Sequence, residues 1–158
     1  LAGRSTKVDH VLHDGDEVLL EEGLSIHAYR TAGHSAGEMS YRLEDAFFIG
    51  DTVPVITDIP IIIDVPEMIA SIKMLRCQKG IRSFYPAWDH AYSAEEMKEK
   101  LEQAEELIMN LGKAIAESDV GQDLRDLTKQ VSEKMKMQML SENPLFAQTV
   151  GAFRKEWK

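Results

Sequence analysis

Three short stretches place chemistry-bearing side chains where a β-prone run gives way to a loop. Thr31-Ala32-Gly33-His34-Ser35-Ala36-Gly37 brackets an imidazole with two glycines, and glycine lets a chain fold close against a ligand. Phe47-Phe48-Ile49-Gly50-Asp51-Thr52 ends an apolar run in a carboxylate. Phe84-Tyr85-Pro86-Ala87-Trp88-Asp89-His90 ends another in a carboxylate and an imidazole. Imidazole nitrogen and carboxylate oxygen are donors that zinc and similar ions accept. A carboxylate also bridges two ions in dinuclear hydrolytic sites. His34, Asp51 and His90 are therefore candidate metal ligands, provided the three strand ends converge. Each motif alone is weak, since a single His after a strand is more often structural and Gly-Asp is more often a turn.

Positioning such groups takes regular elements. Short β-prone runs at 18–20, 24–29, 39–43 and 46–49 are separated by Asp14-Gly15, Glu22-Gly23 and Glu44-Asp45. This spacing predicts an antiparallel meander with one buried face. Pro54, Pro60 and Pro66 surround Ile59, Ile61, Ile62 and Ile63. Three prolines predict an apolar loop, either packed on the core or walling a substrate pocket. Met68, Ile69, Ile72 and Leu75 then share a helical face, with Asp64 and Glu67 at capping-box spacing and Gly80 as the stop. A buried strand is predicted over 82–85. Ser93 and Glu96 form a capping box, and Met97, Leu101, Ala104, Leu107, Ile108, Leu111 and Ile115 repeat at helical spacing. After a break over 118–121, a second helix carries Leu124, Leu127, Val131 and Met135, and Asn143-Pro144 precedes a short helix from about Leu145 to Trp157. The composition changes near residue 93. It divides the chain into a β-rich part, 1–92, and a helical extension, 93–158, that packs on it or forms an oligomer interface.

Taken in order, the His34 motif followed by a strand, the Gly50-Asp51-Thr52 motif, a helix, and a strand ending in Asp89-His90 resemble the metallo-β-lactamase superfamily. The resemblance covers roughly residues 12 to 92. It implies an α+β fold: half of a four-layer αββα arrangement, mostly antiparallel sheet plus helices, with an extended helical tail. It implies His34 as a ligand of one metal, Asp51 as the bridging and catalytic carboxylate, and His90 as a ligand of the second metal. Gly33, Gly37 and Gly50 would shape the ligand loops, and Thr52 would hold the Asp51 carboxylate, a support such sites need. Ala32 stands where proline is usual. Trp88-Asp89-His90 stands where Gly-His is more common, so Asp89 is the alternative to His90, which is the expected ligand. The implied cofactor is zinc, two ions in the intact protein, with iron or manganese suited to the same donors.

The family's first metal motif, His-x-His-x-Asp-His, is absent. The five histidines are His10, His13, His27, His34 and His90. No Asp-His pair follows His10 and His13, and His27 reads as the polar face of a strand. The chain thus reads as the C-terminal piece of a hydrolase that attacks an ester, thioester, lactone or similar bond through a metal-bound water or hydroxide. Its expected partner is a small-molecule substrate. Alone, the 158-residue chain is expected to be inactive and poorly metallated, because three ligands make a weak site. The alternative is a catalytically inactive fragment serving as a dimerisation or protein-interaction module. A half-fold exposes the inner face of its sheet, and such apolar patches are rarely left in water. A symmetric homodimer is the simplest expectation.

Composition sets the remaining bounds. Hydrophobic residues are 44% of the chain, enough for a packed core. A net charge of -9 argues against nucleic-acid binding, which rests on Lys and Arg at phosphates. The single cysteine, Cys77, cannot form an internal disulfide, and its place on an amphipathic stretch suits a small helix residue. No apolar run nears the about 18 residues that span a membrane, and the first residues lack a signal-peptide core. A cytoplasmic protein is expected. Met135, Met137 and Met139 read as core or interface filler.

Overall fold

The structure, a computed structural model, describes residues 7–20, 23–55, 58–119 and 121–156. In chain order these form β1 (Glu17–Leu19), β2 (Ser25–Arg30), β3 (Met39–Leu43), β4 (Ala46–Gly50), α1 (Val65–Arg76), β5 (Ser83–Pro86), β6 (Tyr92–Ser93), α2 (Ala94–Ala116), α3 (Leu124–Lys134), a 3-10 turn (Gln138–Leu140) and α4 (Pro144–Glu156). The predicted turn residue Glu22 and the helix end Trp157 lie outside the described residues.

The strands make one sheet in sequence order, antiparallel throughout except for the parallel β4–β5 pair. Local turns close the meander. The β3–β4 hairpin turns on two residues, and Glu44 takes φ +52 there, a left-handed conformation uncommon outside glycine and asparagine. A parallel pair needs a longer crossover, and α1 supplies it. The β5 strand, predicted over 82–85, then docks on the hairpin: the Arg82 and Ser83 N–H groups both donate to the Asp45 carbonyl, at 2.7 and 3.2 Å.

Side chains alternate across the pleat. Phe47, Ile49 and Phe84 face the helices and join a core with Met68, Met97 and Phe146. Phe48 and Tyr85, on the opposite face, stack at 4.9 Å and remain 44% and 40% exposed. Every apolar position read on α2, from Met97 to Ile115, is buried. The same core runs through residues on both sides of position 93. Met135 and Met137 pack against it, whereas Met139 is exposed.

Two boundaries differ from the sequence expectation. Helix α1 stops at Arg76 with Cys77 as its exposed C-cap, not at Gly80. After Leu75 the next buried apolar residue is Ile81, so nothing holds another helical turn against the core. Helix α4 starts at Pro144, one residue early. The Asn143 side-chain oxygen accepts from the Leu145 and Phe146 N–H groups at 2.9 and 3.2 Å. Proline is well suited to a first helical position, where its missing N–H is not needed. Strand β6 adds to the expected elements: its two residues leave no periodic signal in the sequence.

The 59–63 segment is irregular, as its prolines require, and it is held from far along the chain. Ile62 is fully buried. Its N–H donates to Thr149 Oγ1 at 2.9 Å, and the Thr149 hydroxyl donates to the Pro60 carbonyl at 2.7 Å. Thr149 is itself fully buried on α4. Replacing it by valine keeps the shape but leaves a buried N–H and C=O without partners. Thr149→Val is expected to lower unfolding free energy by about 1–3 kcal/mol in urea denaturation. An unchanged midpoint would show that α4 does not secure this loop.

Candidate metal centre

The His34 loop follows β2 and is pinned to the start of α1. Gly33 takes φ +138, and a Cβ there would lie 2.6 Å from the Met68 Cα, so only glycine fits. Its carbonyl accepts from Ile63 N–H at 2.8 Å and Asp64 N–H at 3.3 Å. The Ser71 hydroxyl donates to the Ala32 carbonyl at 2.7 Å. The Thr31 N–H donates to the Glu38 carbonyl at 3.0 Å and closes the loop. His34, half-buried, stands on this clamped turn.

Asp51 follows β4 in a turn made possible by Gly50 at φ +53. Beneath it runs a buried chain of hydroxyls. Thr31 Oγ1 and Ser40 Oγ are 2.8 Å apart, and Ser40 Oγ and Thr52 Oγ1 are 3.3 Å apart. The Thr52 hydroxyl donates to the Ile49 carbonyl at 2.7 Å. The family resemblance assigns Thr52 to holding the Asp51 carboxylate. Being fully buried, it turns into the sheet end and braces the turn from below instead.

The third loop follows β5. Asp89 Oδ1 accepts from the His90 N–H, and His90 Nδ1 lies 2.8 Å from the same oxygen. Asp89 Oδ2 accepts from the Tyr92 hydroxyl at 2.5 Å. His90 Nε2 is 3.7 Å from Glu96 Oε1, and Glu96 is the α2 capping-box carboxylate. The Tyr92 hydrogen bond, with those from His90, pulls the Asp89 carboxyl down to about 2. Burial and the Asp89 contact push the Tyr92 phenol up.

His34, Asp51 and Asp89 line one cleft of about 320 Å³, with Ile59, Ile61 and Trp88 on its apolar side. The structure therefore brings His34 and Asp51 to one space, with Ile59 and Ile61 forming part of its wall. His90 is not among the lining residues; its neighbour Asp89 is. His90 turns Nδ1 to Asp89 and has Nε2 3.7 Å from Glu96. Among the described residues, no three His, Cys, Asp or Glu side chains are gathered closely enough to hold an ion.

One carboxylate escaped the sequence reading. Glu38 Oε1 accepts from the Asp51 N–H at 3.1 Å, while Oε2 is buried with no hydrogen-bond partner. Burial, and less strongly the Asp51 charge, raise its carboxyl; the Asp51 N–H bond, the neighbouring His34 and a weaker interaction with the Ser35 N–H oppose this. The available signal was a charged residue directly after Gly37 at the start of a strand. The donor chemistry suits a divalent ion: an imidazole and carboxylates at a cleft, and a buried carboxylate oxygen left without a partner.

No protein-family model matches the sequence, and no curated protein does. Solved structures do match. A metallo-β-lactamase family protein from Thermus thermophilus is similar at a TM-score of 0.67 and 16% identity, over 91% of this chain and 47% of that one. An archaeal metallo-β-lactamase superfamily protein from Sulfolobus tokodaii is similar at a TM-score of 0.52 and 18% identity, over 87% of this chain and 56% of that one. The chain spans about half the length of these structures. Its α+β architecture is that of about half of a metallo-β-lactamase superfamily fold, as its three motifs imply.

Tyr92 gives the site a measurable handle. Asp89 has a depressed pKa, so its bonds stabilise the fold fully above the ordinary carboxylate range. That contribution is lost as pH falls from about 4 to about 2. In Tyr92→Phe the Asp89 carboxyl is expected to titrate closer to its ordinary value of 3.8. A carbon-detected NMR titration reads this directly, and an unmoved Asp89 would deny Tyr92 the leading role.

Proposed function

We propose that this chain supplies part of the site of a metal-dependent hydrolase acting on an ester, thioester, lactone or similar bond. The observation that carries the proposal is the cleft where His34 and Asp51, on loops after β2 and β4, meet Asp89 on the loop after β5. The chain spans about half of the structures it matches, so the activity belongs to the whole fold. To that fold this chain would bring His34, Asp51 and a donor from the Asp89-His90 pair. Zinc, iron or manganese held there would lower the pKa of a bound water and polarise the scissile group.

The residues present support specific tasks. His34 offers an imidazole on a loop fixed by Gly33 and Ser71. Asp51 offers a carboxylate on a turn braced from below by Thr52. Asp89 either faces the ion or orients His90 through Nδ1. Ile59, Ile61 and Trp88 would bind an apolar part of a small-molecule substrate and exclude water. Cys77, a lone exposed thiol, suits a cytoplasmic setting. No described helix is long and apolar enough to cross a membrane. Titration calorimetry with zinc is the test. His34→Ala and Asp51→Ala should each weaken binding at least about tenfold. Parental affinity in both variants would sink the proposal.

A second part concerns partners. The exposed Phe48–Tyr85 stack favours contact between two copies through this sheet face, because contiguous exposed apolar surface often marks an interaction site. A homodimer is expected by light scattering at high concentration, converted to monomer by Phe48→Glu. A parental monomer would defeat it.

A further inference from the structure

We infer that Glu38 sets the His34–Asp51 pair and supplies negative charge toward a cation held between them. The inference rests on the reading that the cleft takes a divalent metal. Glu38 stands where two site loops meet. Its carbonyl accepts from the Thr31 N–H and closes the His34 loop. Its Oε1 accepts from the Asp51 N–H at 3.1 Å and lies 3.7 Å from where a Gly50 Cβ would stand. One residue thus joins the two loops, its carbonyl closing the His34 loop and its carboxylate holding the Asp51 turn.

The other oxygen is the informative one. Oε2 is buried and has no hydrogen-bond partner. A buried polar atom without a partner is costly and uncommon in native structures. A glutamine would make the same Oε1 contact without placing a charge there, so the staple alone does not explain a carboxylate. His34 and Asp51 both act on Glu38 electrostatically, which places the unpartnered charge beside the two donors. A positive ion at the cleft is what such a charge would serve, and the site then depends on metal to relieve it. Glu38 acts through the turn and through the field, as a positioning residue without contact to the ion.

Three variants of the full chain test this, with zinc as the only ligand and thermal unfolding of the metal-free protein as a second readout. Glu38→Gln keeps the Oε1 contact and removes the charge. Its metal-free melting temperature should equal or exceed the parental one, while zinc affinity falls about tenfold or more. Glu38→Asp keeps the charge but shortens the staple; it should melt lower yet bind zinc more tightly than Glu38→Gln. A merely structural Glu38 predicts the reverse order. Parental zinc affinity in Glu38→Gln, or weaker binding by Glu38→Asp than by Glu38→Gln, overturns the inference. If Asp51→Ala abolishes zinc binding while Glu38→Gln leaves it intact, the metal site stands and the role of Glu38 falls. If the parent binds zinc no more tightly than Asp51→Ala does, both fall.

Discussion

The close approach of Gly33 to the first turn of α1 is the contact on which the site depends. A methyl group there would sit 2.6 Å from the Met68 Cα, well inside van der Waals contact, and the backbone takes φ +138. With the two backbones so near, the Gly33 carbonyl receives the Ile63 and Asp64 N–H groups. These donors lie just before α1, where backbone N–H groups lack partners within the helix. The His34 loop, the 59–64 segment and α1 therefore behave as one body. Thr149 extends that body to α4 through Pro60 and Ile62. Hydrogen bonds joined by the Ile62–Ile63 peptide link thus run from the last helix to the residue beside His34. The helical tail is thus part of what fixes the cleft, although none of its described residues lines it.

Sheet direction explains why three distant loops share one edge. Antiparallel pairing of β2, β3 and β4 makes β2 and β4 run the same way, and the parallel β4–β5 pair adds β5 to that set. The loops after β2, β4 and β5 must all emerge at the same end. Adjacent strands are about 4.8 Å apart, so β2 and β5, three steps distant, stand roughly 14 Å from each other. Loops must therefore lean inward to meet. The Gly33 turn folds the His34 loop over the sheet end, and the Ala87 N–H, donating to the Gly50 carbonyl at 2.9 Å, ties the third loop to the second. Asp51, on the central strand of the three, is placed to meet either neighbour.

Much of this is legible in the sequence where a periodic physical demand repeats. Helix α2 shows seven apolar residues at helical spacing with a capping box before them, and each of those cues has a local cause. The meander is legible because turn residues interrupt short β-prone runs. The end of α1 is misleading because Gly80 resembles a stop, whereas the helix ends where apolar side chains cease to face the core. Strand β6 is invisible because two residues carry no period. The order of the three motifs carries the fold, since each marks the end of a strand that the topology sends to one edge. What stays hidden are relations between distant residues. Nothing around Thr149 announces that its hydroxyl serves two backbone groups nearly ninety positions away. Nothing around Glu38 announces that its carboxylate lies beneath Asp51.

The polar groups under the cleft sort into two kinds, and the difference bears on chemistry. Thr31, Ser40 and Thr52 form a neutral chain in which each hydroxyl has a neighbour. A satisfied network of this sort costs little and rigidifies the three strand ends. The ionisable groups sit above it: His34, Asp51 and Asp89 at the cleft, with Glu38 half-buried below them. Asp89 is fully engaged, one oxygen with His90 and the other with Tyr92, and its carboxyl is held low. Glu38 has one oxygen bonded to the Asp51 N–H and the other buried without a hydrogen bond, and burial holds its carboxyl high. Two carboxylates on one small site are thus driven in opposite directions by their surroundings. The Asp89 bonds stabilise the fold, whereas the buried Glu38 oxygen without a hydrogen bond costs stability. The neutral hydroxyl chain provides stiffness, and the proposed cation would meet the charge that Glu38 leaves unbalanced.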